Sequence, residues 1–337
     1  MKRLLMFIVP LFLFAVPLAA LAQESRLDVV ATTTIIADVA RAVGGDRVTV
    51  TALVPPDADA HAWQPTPRDA ALVAGADLLL VNGAGLELFL GGLLENAAGA
   101  KPVVVSAGAA VLPARGTGHA DDEAHEDEHI GMLGVDAICD DHDDEAHADE
   151  TAEADDDHAH GACDPHFWTD PANVMIWADN IAAALAAADP AGADLYAANA
   201  AAYKAQLADL DADIEALLAP IPAERRVLVT NHNFLAYFAH RYGFEVVGVV
   251  LGETTLAEAA PQQVAALAET IRAEGVPAIF AEVSAAAGLA GAIAAEVGDV
   301  AVATLYSGSL SAPDGPAGTY LDYMRYNAQT IAAALGG

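Results

Sequence analysis

Histidine is the residue type in this chain best suited to chemistry, and its eleven copies fall into two sets. Seven of them (His119, His125, His129, His142, His147, His158 and His160) crowd into Thr117 to Cys163, beside eighteen Asp and Glu and no Lys or Arg. Imidazole is the commonest side-chain ligand for borderline cations such as Zn²⁺, and the carboxylates raise the local cation concentration. So polar a segment cannot bury enough apolar surface to offset its ordering entropy. It is therefore predicted to be mostly disordered and to collect metal weakly, rather than to act as a plain acidic spacer.

Four histidines lie outside this insert: His61, His166, His232 and His240. His61 follows a strand in a Pro-rich loop, and His166 sits in Asp164-Pro-His-Phe-Trp168 just before a helix. His232 follows a strand in Val229-Thr-Asn-His-Asn-Phe234. In parallel α/β sheets, ligands collect beyond the carboxyl ends of strands. Three imidazoles meeting there would make a Zn²⁺ site, although any one alone reads as a hydrogen-bonded loop residue. His240 falls inside a helix and is expected at the surface or in ordinary packing.

The elements that must position these residues read as repeated strand–helix units. Strands are expected at Arg26–Thr32, Val48–Val54, Leu78–Val81 and Val103–Ser106, and helices at Thr33–Val43, Thr66–Ala74 and Leu86–Asn96. After the insert, Asp170–Ala186 is helical. One long helix then runs to Leu218 on a stripe of Tyr196, Ala200, Tyr203, Leu207, Leu210, Ile214 and Leu217. Strands at Arg226–Thr230, Glu245–Val250, Ala278–Ala281 and Ala301–Leu305 follow. They alternate with helices at Asn233–Tyr242, Pro261–Glu274, Ala285–Val297 and Tyr320–Leu335. Short-spaced alternation of this kind predicts an α/β fold with two lobes of parallel sheet flanked by helices and joined by one long rigid helix. The expected division is an N-terminal lobe over 23–188, a linking helix over 189–219 and a C-terminal lobe over 220–337, with the metal site in the cleft between the lobes.

Lys2 and Arg3 precede an apolar run that ends at Ala20-Leu-Ala22, the pattern of a cleaved signal peptide over 1–22. Pro10 and Pro17 interrupt the run and argue against a membrane anchor. The rest of the chain carries no comparable apolar run. Export from the cytoplasm follows, and Cys139 and Cys163 are then expected to pair as a disulfide rather than to ligate metal as thiolates. Loss of Lys2 and Arg3 takes the formal net charge from −34 to −36. Such a protein attracts cations, and its charge excludes binding to nucleic acid or to an anionic membrane surface.

Six segments carry a resemblance to a known family. They are the His61 loop with Gln64-Pro-Thr-Pro-Arg-Asp69, then Asn82-Gly-Ala-Gly-Leu-Glu87, Asp164-Pro-His-Phe-Trp168, Tyr196 to Leu210, Asn231-His-Asn-Phe-Leu-Ala-Tyr-Phe238 and Gly318-Thr-Tyr-Leu-Asp-Tyr-Met-Arg-Tyr-Asn327. Together they resemble the substrate-binding proteins of zinc and manganese ABC importers, the cluster A-I family. The resemblance implies a periplasmic monomer of two lobes and a rigid connecting helix that catalyses no reaction and passes one cleft-bound metal to a cognate ABC permease. It places His61, His166 and His232 on the family's ligand positions, and His at the third position together with the His-rich insert is similar to the zinc-type members. The family's fourth ligand is an Asp, but Gly308 stands there in Leu305-Tyr-Ser-Gly-Ser-Leu310. Water is the favoured replacement, ahead of Glu282 or an insert histidine, and Glu282 could instead orient a ligand from behind. The expected cargo is therefore Zn²⁺, with Mn²⁺ or another divalent metal as the alternative. A zinc hydrolase is a rival reading, with Asp59, Asp164 or Glu282 as base, although no His-Glu-x-x-His helix is present. A metal buffer or adhesin acting through the insert is another.

Overall fold

The computed structural model describes residues 26–96, 102–109, 112, 163–249, 261–284, 288–298 and 300–336. The expected signal peptide, the seven insert histidines and Cys139 lie outside them. The N-terminal half contains β1 (Leu27–Ala31), α1 (Thr34–Gly44), β2 (Val48–Ala52), α2 (Pro67–Gly75), β3 (Leu78–Val81), α3 (Leu90–Asn96), β4 (Pro102–Val104) and α4 (Pro171–Ala188). Its four strands are parallel in the order β2-β1-β3-β4. Helix α5 (Ala193–Leu218) leads to β5 (Val227–Thr230), α6 (Ala236–Tyr242), β6 (Glu245–Val249), α7 (Pro261–Glu274), β7 (Ala278–Glu282), α8 (Gly288–Val297), β8 (Ala301–Leu305) and α9 (Tyr320–Gly336). These strands form a second parallel sheet, β6-β5-β7-β8. In each sheet the first strand lies inside, so the chain leaves it in opposite directions on successive crossovers. That reversal opens a crevice at the carboxyl end of β1 and of β5.

Local chemistry explains most of the helix starts. The Thr33 hydroxyl accepts from the Ile36 N–H at 3.3 Å, and Asp170 accepts from the Ala172 N–H at 2.8 Å with Pro171 as the first helical residue. The Thr66 N–H donates to Asp69 at 2.7 Å, closing a capping box ahead of α2. Helix α3 begins at Leu90 rather than Leu86, with residues 88–89 still in a turn, and the preceding Gly83, Ala84 and Gly85 all take positive φ (89°, 55° and 74°). This turn wraps the half-buried Glu87 carboxylate, which accepts from the Thr32 hydroxyl at 2.7 Å and from the N–H groups of Asn82 and Gly83 at 2.6 and 3.0 Å. Likewise α6 starts at Ala236, because residues 231–235 form the loop that carries His232.

Helix α5 has 26 residues, about 39 Å at 1.5 Å per residue, and it packs against α1, α4 and α9. Its buried stripe ends on Leu218, while Leu217 is 39% exposed. At 3.6 residues per turn, Leu218 lies about 40° past the line through Tyr196 and Leu217 falls about 60° short of it. One contiguous core, including Trp177, Tyr196, Leu210, Tyr320 and Ile331, runs through these helices beneath both sheets. No helix among the described residues is long and apolar enough to cross a membrane.

Candidate metal centre

His61 lies in the loop after β2, His166 precedes a 3-10 turn (Phe167–Thr169) leading into α4, and His232 follows β5 at the crevice of the second sheet. Separated by 105 and 66 residues along the chain, their Nε2 atoms meet, with His166 Nε2 at 3.1 Å from both His61 Nε2 and His232 Nε2. The ring centroids are 4.9–5.2 Å apart. Zn–N bonds of about 2.0–2.1 Å at a tetrahedral angle would separate ligand nitrogens by about 3.3 Å. The three rings are thus spaced to hold one cation. Among the described residues they are the one group of three or more His, Cys, Asp or Glu that could do so.

Each histidine has its own carboxylate. Asp59 accepts from the His61 backbone N–H at 2.9 Å. Asp164 accepts from the His166 backbone N–H at 2.9 Å and from its Nδ1 at 2.6 Å. Glu282, the last residue of β7, accepts from His232 Nδ1 at 2.6 Å. A proton held on Nδ1 fixes the tautomer in which Nε2 offers its lone pair to a metal. The three carboxylates considered as hydrolytic bases are therefore engaged, Asp164 and Glu282 with imidazoles and Asp59 with the His61 backbone. Glu282 also stands behind the His232 ring rather than among the converging Nε2 atoms. His166, Asp164, His232 and Glu282 are at most 1% exposed.

Burial dominates the titration of this cluster. It pushes the His166 imidazole well below its usual range, with the neighbouring His232 adding to the effect and Glu282 opposing it. Burial would also lower His232, but the charge and hydrogen bond of Glu282, with Asp59 and Asp164, outweigh it and leave that imidazole raised. Burial raises the Asp164 carboxyl to about 7 against the His166 N–H and His232. Burial also opposes ionisation of Glu282, but His232 prevails and the net shift is downward.

The loop between β8 and α9 closes one side of the site. Asn327 brackets the Tyr306 peptide, donating at 2.8 Å and accepting at 3.0 Å. The Ser307 carbonyl accepts from the Trp168 indole at 3.0 Å and from the Tyr323 hydroxyl at 2.9 Å. The Leu310 N–H donates to the Thr34 hydroxyl at 2.8 Å, and its carbonyl accepts from the Asp57 N–H at 3.0 Å. A Cβ on Gly308 would lie 3.3 Å from the Ala60 Cβ, one residue before His61. Position 308 thus faces the His61 loop with no side chain to offer.

Sequence reasoning assigned no role to Trp168, whose ring packs on His166 at 5.2 Å, or to Asn82, which donates to the Pro165 carbonyl at 2.9 Å. Both stand in the segments that carry the family resemblance, which was the available signal. His240 is exposed on α6, away from the cluster. No cysteine among the described residues is free.

Two parallel sheets joined through a long helix, with three convergent histidine nitrogens, fit the class of cleft-type metal-binding proteins. A family profile for zinc-uptake complex component A, periplasmic, matches residues 29–334, and this chain belongs to that family of substrate-binding transport components, which are not enzymes. It is 32% identical to the iron-binding protein YfeA of Yersinia pestis, over 98% of this chain and 95% of the relative. The periplasmic zinc binding protein TroA of Treponema pallidum superposes with a TM-score of 0.73 at 27% identity, covering 93% of this chain and all (100%) of that one. A Mn-bound periplasmic metal binding protein of Candidatus Liberibacter asiaticus gives a TM-score of 0.71 at 26% identity, covering 92% of this chain and 100% of that one. The chain is accordingly a divalent-metal-binding component of an ABC importer.

Proposed function

We propose that this protein captures Zn²⁺ in the periplasm and delivers it to its cognate permease, with His61, His166 and His232 as ligands and water in the fourth position. The observation that carries this reading is the convergence of three Nε2 atoms within 3.1 Å contacts while every nearby carboxylate is turned to an imidazole or a backbone N–H. A nitrogen-only donor set with an open position suits zinc, whereas Mn²⁺ prefers oxygen ligands. An iron or manganese cargo, which the names of two compared proteins carry, would call for an oxygen ligand at position 308, and Gly308 supplies none.

The remainder of the reading is consistent with this role. Residues 1–22 are a cleaved signal, 23–188 and 220–337 the two lobes, and 189–219 the connecting helix of a monomer. The insert histidines collect Zn²⁺ weakly, with the segment stapled by a Cys139–Cys163 disulfide. Competition titration against a chelator tests the proposal. Zn²⁺ should bind at least about tenfold, or about 1.4 kcal/mol, more tightly than Mn²⁺. His61→Ala, His166→Ala and His232→Ala should each abolish tight binding, and His240→Ala should not. Unchanged affinity in any of the first three would remove that residue from the site.

A further inference from the structure

We propose that the Tyr237 hydroxyl is a positioning group for the metal centre, tying the two lobes together behind His166 and His232. The proposal rests on the metal-site reading above. Tyr237 lies on α6 of the C-terminal half, five residues after His232. Its hydroxyl donates to the Asp164 carbonyl at 2.8 Å and accepts from the Leu112 N–H at 3.0 Å, both in the N-terminal half. Those two residues also bond to each other, the Asp164 N–H donating to the Leu112 carbonyl at 2.9 Å. Beyond the peptide lies the Asp164 carboxylate, which holds both the backbone N–H and Nδ1 of His166. The Tyr237 ring packs on Phe167 at 5.2 Å between centroids, and the Pro165 carbonyl is held from the other side by Asn82.

One phenolic oxygen therefore connects the segment carrying His166 to the helix that follows His232. A hydroxyl that donates and accepts at once fixes both of its partners, and its loss leaves a half-buried N–H and a buried carbonyl without it. Because His166 Nε2 and His232 Nε2 are 3.1 Å apart across the lobes, freedom at this junction becomes freedom in the ligand–ligand distance. Retention of metal depends on ligands being held in place, so the consequence should fall on the rate of release.

The test is Tyr237→Phe, which keeps the ring and removes only the oxygen. Its control is Tyr242→Phe, which removes a phenol bonded to Asp211 at 2.9 Å on α5. Zn²⁺ dissociation into excess chelator and the visible absorption of the Co²⁺-loaded protein are measured beside thermal stability. Tyr237→Phe should release Zn²⁺ on the order of tenfold faster and alter the Co²⁺ bands, as expected for a hydrogen-bond loss expressed at the ligands. Tyr242→Phe should lower stability without changing either readout. Release and bands unchanged in Tyr237→Phe, or changed equally in both variants, would overturn the proposal. If Tyr237→Phe does not fold, hydrogen exchange of the wild-type Leu112 amide decides. It should slow when Zn²⁺ is added, and an identical rate with and without Zn²⁺ rejects the proposal. A wild-type protein that binds no Zn²⁺ tightly would instead sink the site reading.

Discussion

Glu282→Gln isolates what a carboxylate contributes from behind a metal-binding imidazole. Glu282 is 1% exposed, its Oε1 is 2.6 Å from His232 Nδ1, and the Ser307 side chain lies close enough to help hold the carboxylate ionised. Gln retains the shape and can still accept from Nδ1 through its amide oxygen, so the ring keeps its place. The substitution removes the negative charge that makes the imidazole a better donor and partly offsets a bound dication. It also sets an amide NH₂ in place of the second carboxylate oxygen. Changes to partners of this kind typically cost about 10–100-fold in metal affinity, or about 1.4–2.7 kcal/mol. Chelator competition at neutral pH should find Zn²⁺ binding weakened within that range, and the Co²⁺ spectrum should retain its coordination number. Wild-type affinity within about twofold would refute the argument that the charge supports His232. A far larger loss with a changed coordination number would place Glu282 among the ligands and displace the proposed water.

Three further outcomes follow from the same geometry. Zn²⁺ affinity should fall as pH drops, because a metal must displace the proton that the raised His232 carries in the metal-free protein, whereas His166 is held neutral. These two imidazoles together give about one proton released, or about tenfold in affinity per pH unit, beginning above the usual imidazole value of about 6.5. A flat profile measured by calorimetry from neutral to mildly acidic pH would point to other ligands. Gly308→Asp should tighten the site or shift it toward Mn²⁺, since its Cβ needs the Ala60 Cβ at 3.3 Å to give by only a few tenths of an ångström. Weaker binding, with the new carboxylate directed away in a structure, would show that position 308 does not face the metal. Deleting Thr117 to Gly161 together with Cys163→Ser should leave one tight Zn²⁺ site and remove the weak ones, because sites that must order chain bind less tightly than a preformed cleft. Loss of the tight site would mean the insert supplies a ligand.

Strand–helix alternation, the helix starts near Thr33, Thr66 and Asp170, and the α5 stripe as far as Ile214 were legible in the sequence. Each depends on neighbours within a few residues, where hydrophobic period and backbone chemistry act directly. The loops holding His61, His166 and His232 could be placed at strand ends or ahead of a helix on the same grounds. Tertiary structure alone decided the rest. Leu218 replaced Leu217 because small angular errors accumulate along a long helix. Residues 86–89 stayed out of α3 because the Glu87 carboxylate, 55 residues from Thr32, is bonded to that residue and to the turn before it. Asp59, Asp164 and Glu282 had equal standing as possible bases in the sequence, and only packing assigned each of them to a particular histidine. Glu282 lies 50 residues from His232, and Tyr237 lies 73 from Asp164 and 125 from Leu112. Hydrogen bonds act over about 3 Å, so contacts between residues this far apart in the chain exist only once two sheets and a long helix have set the distances.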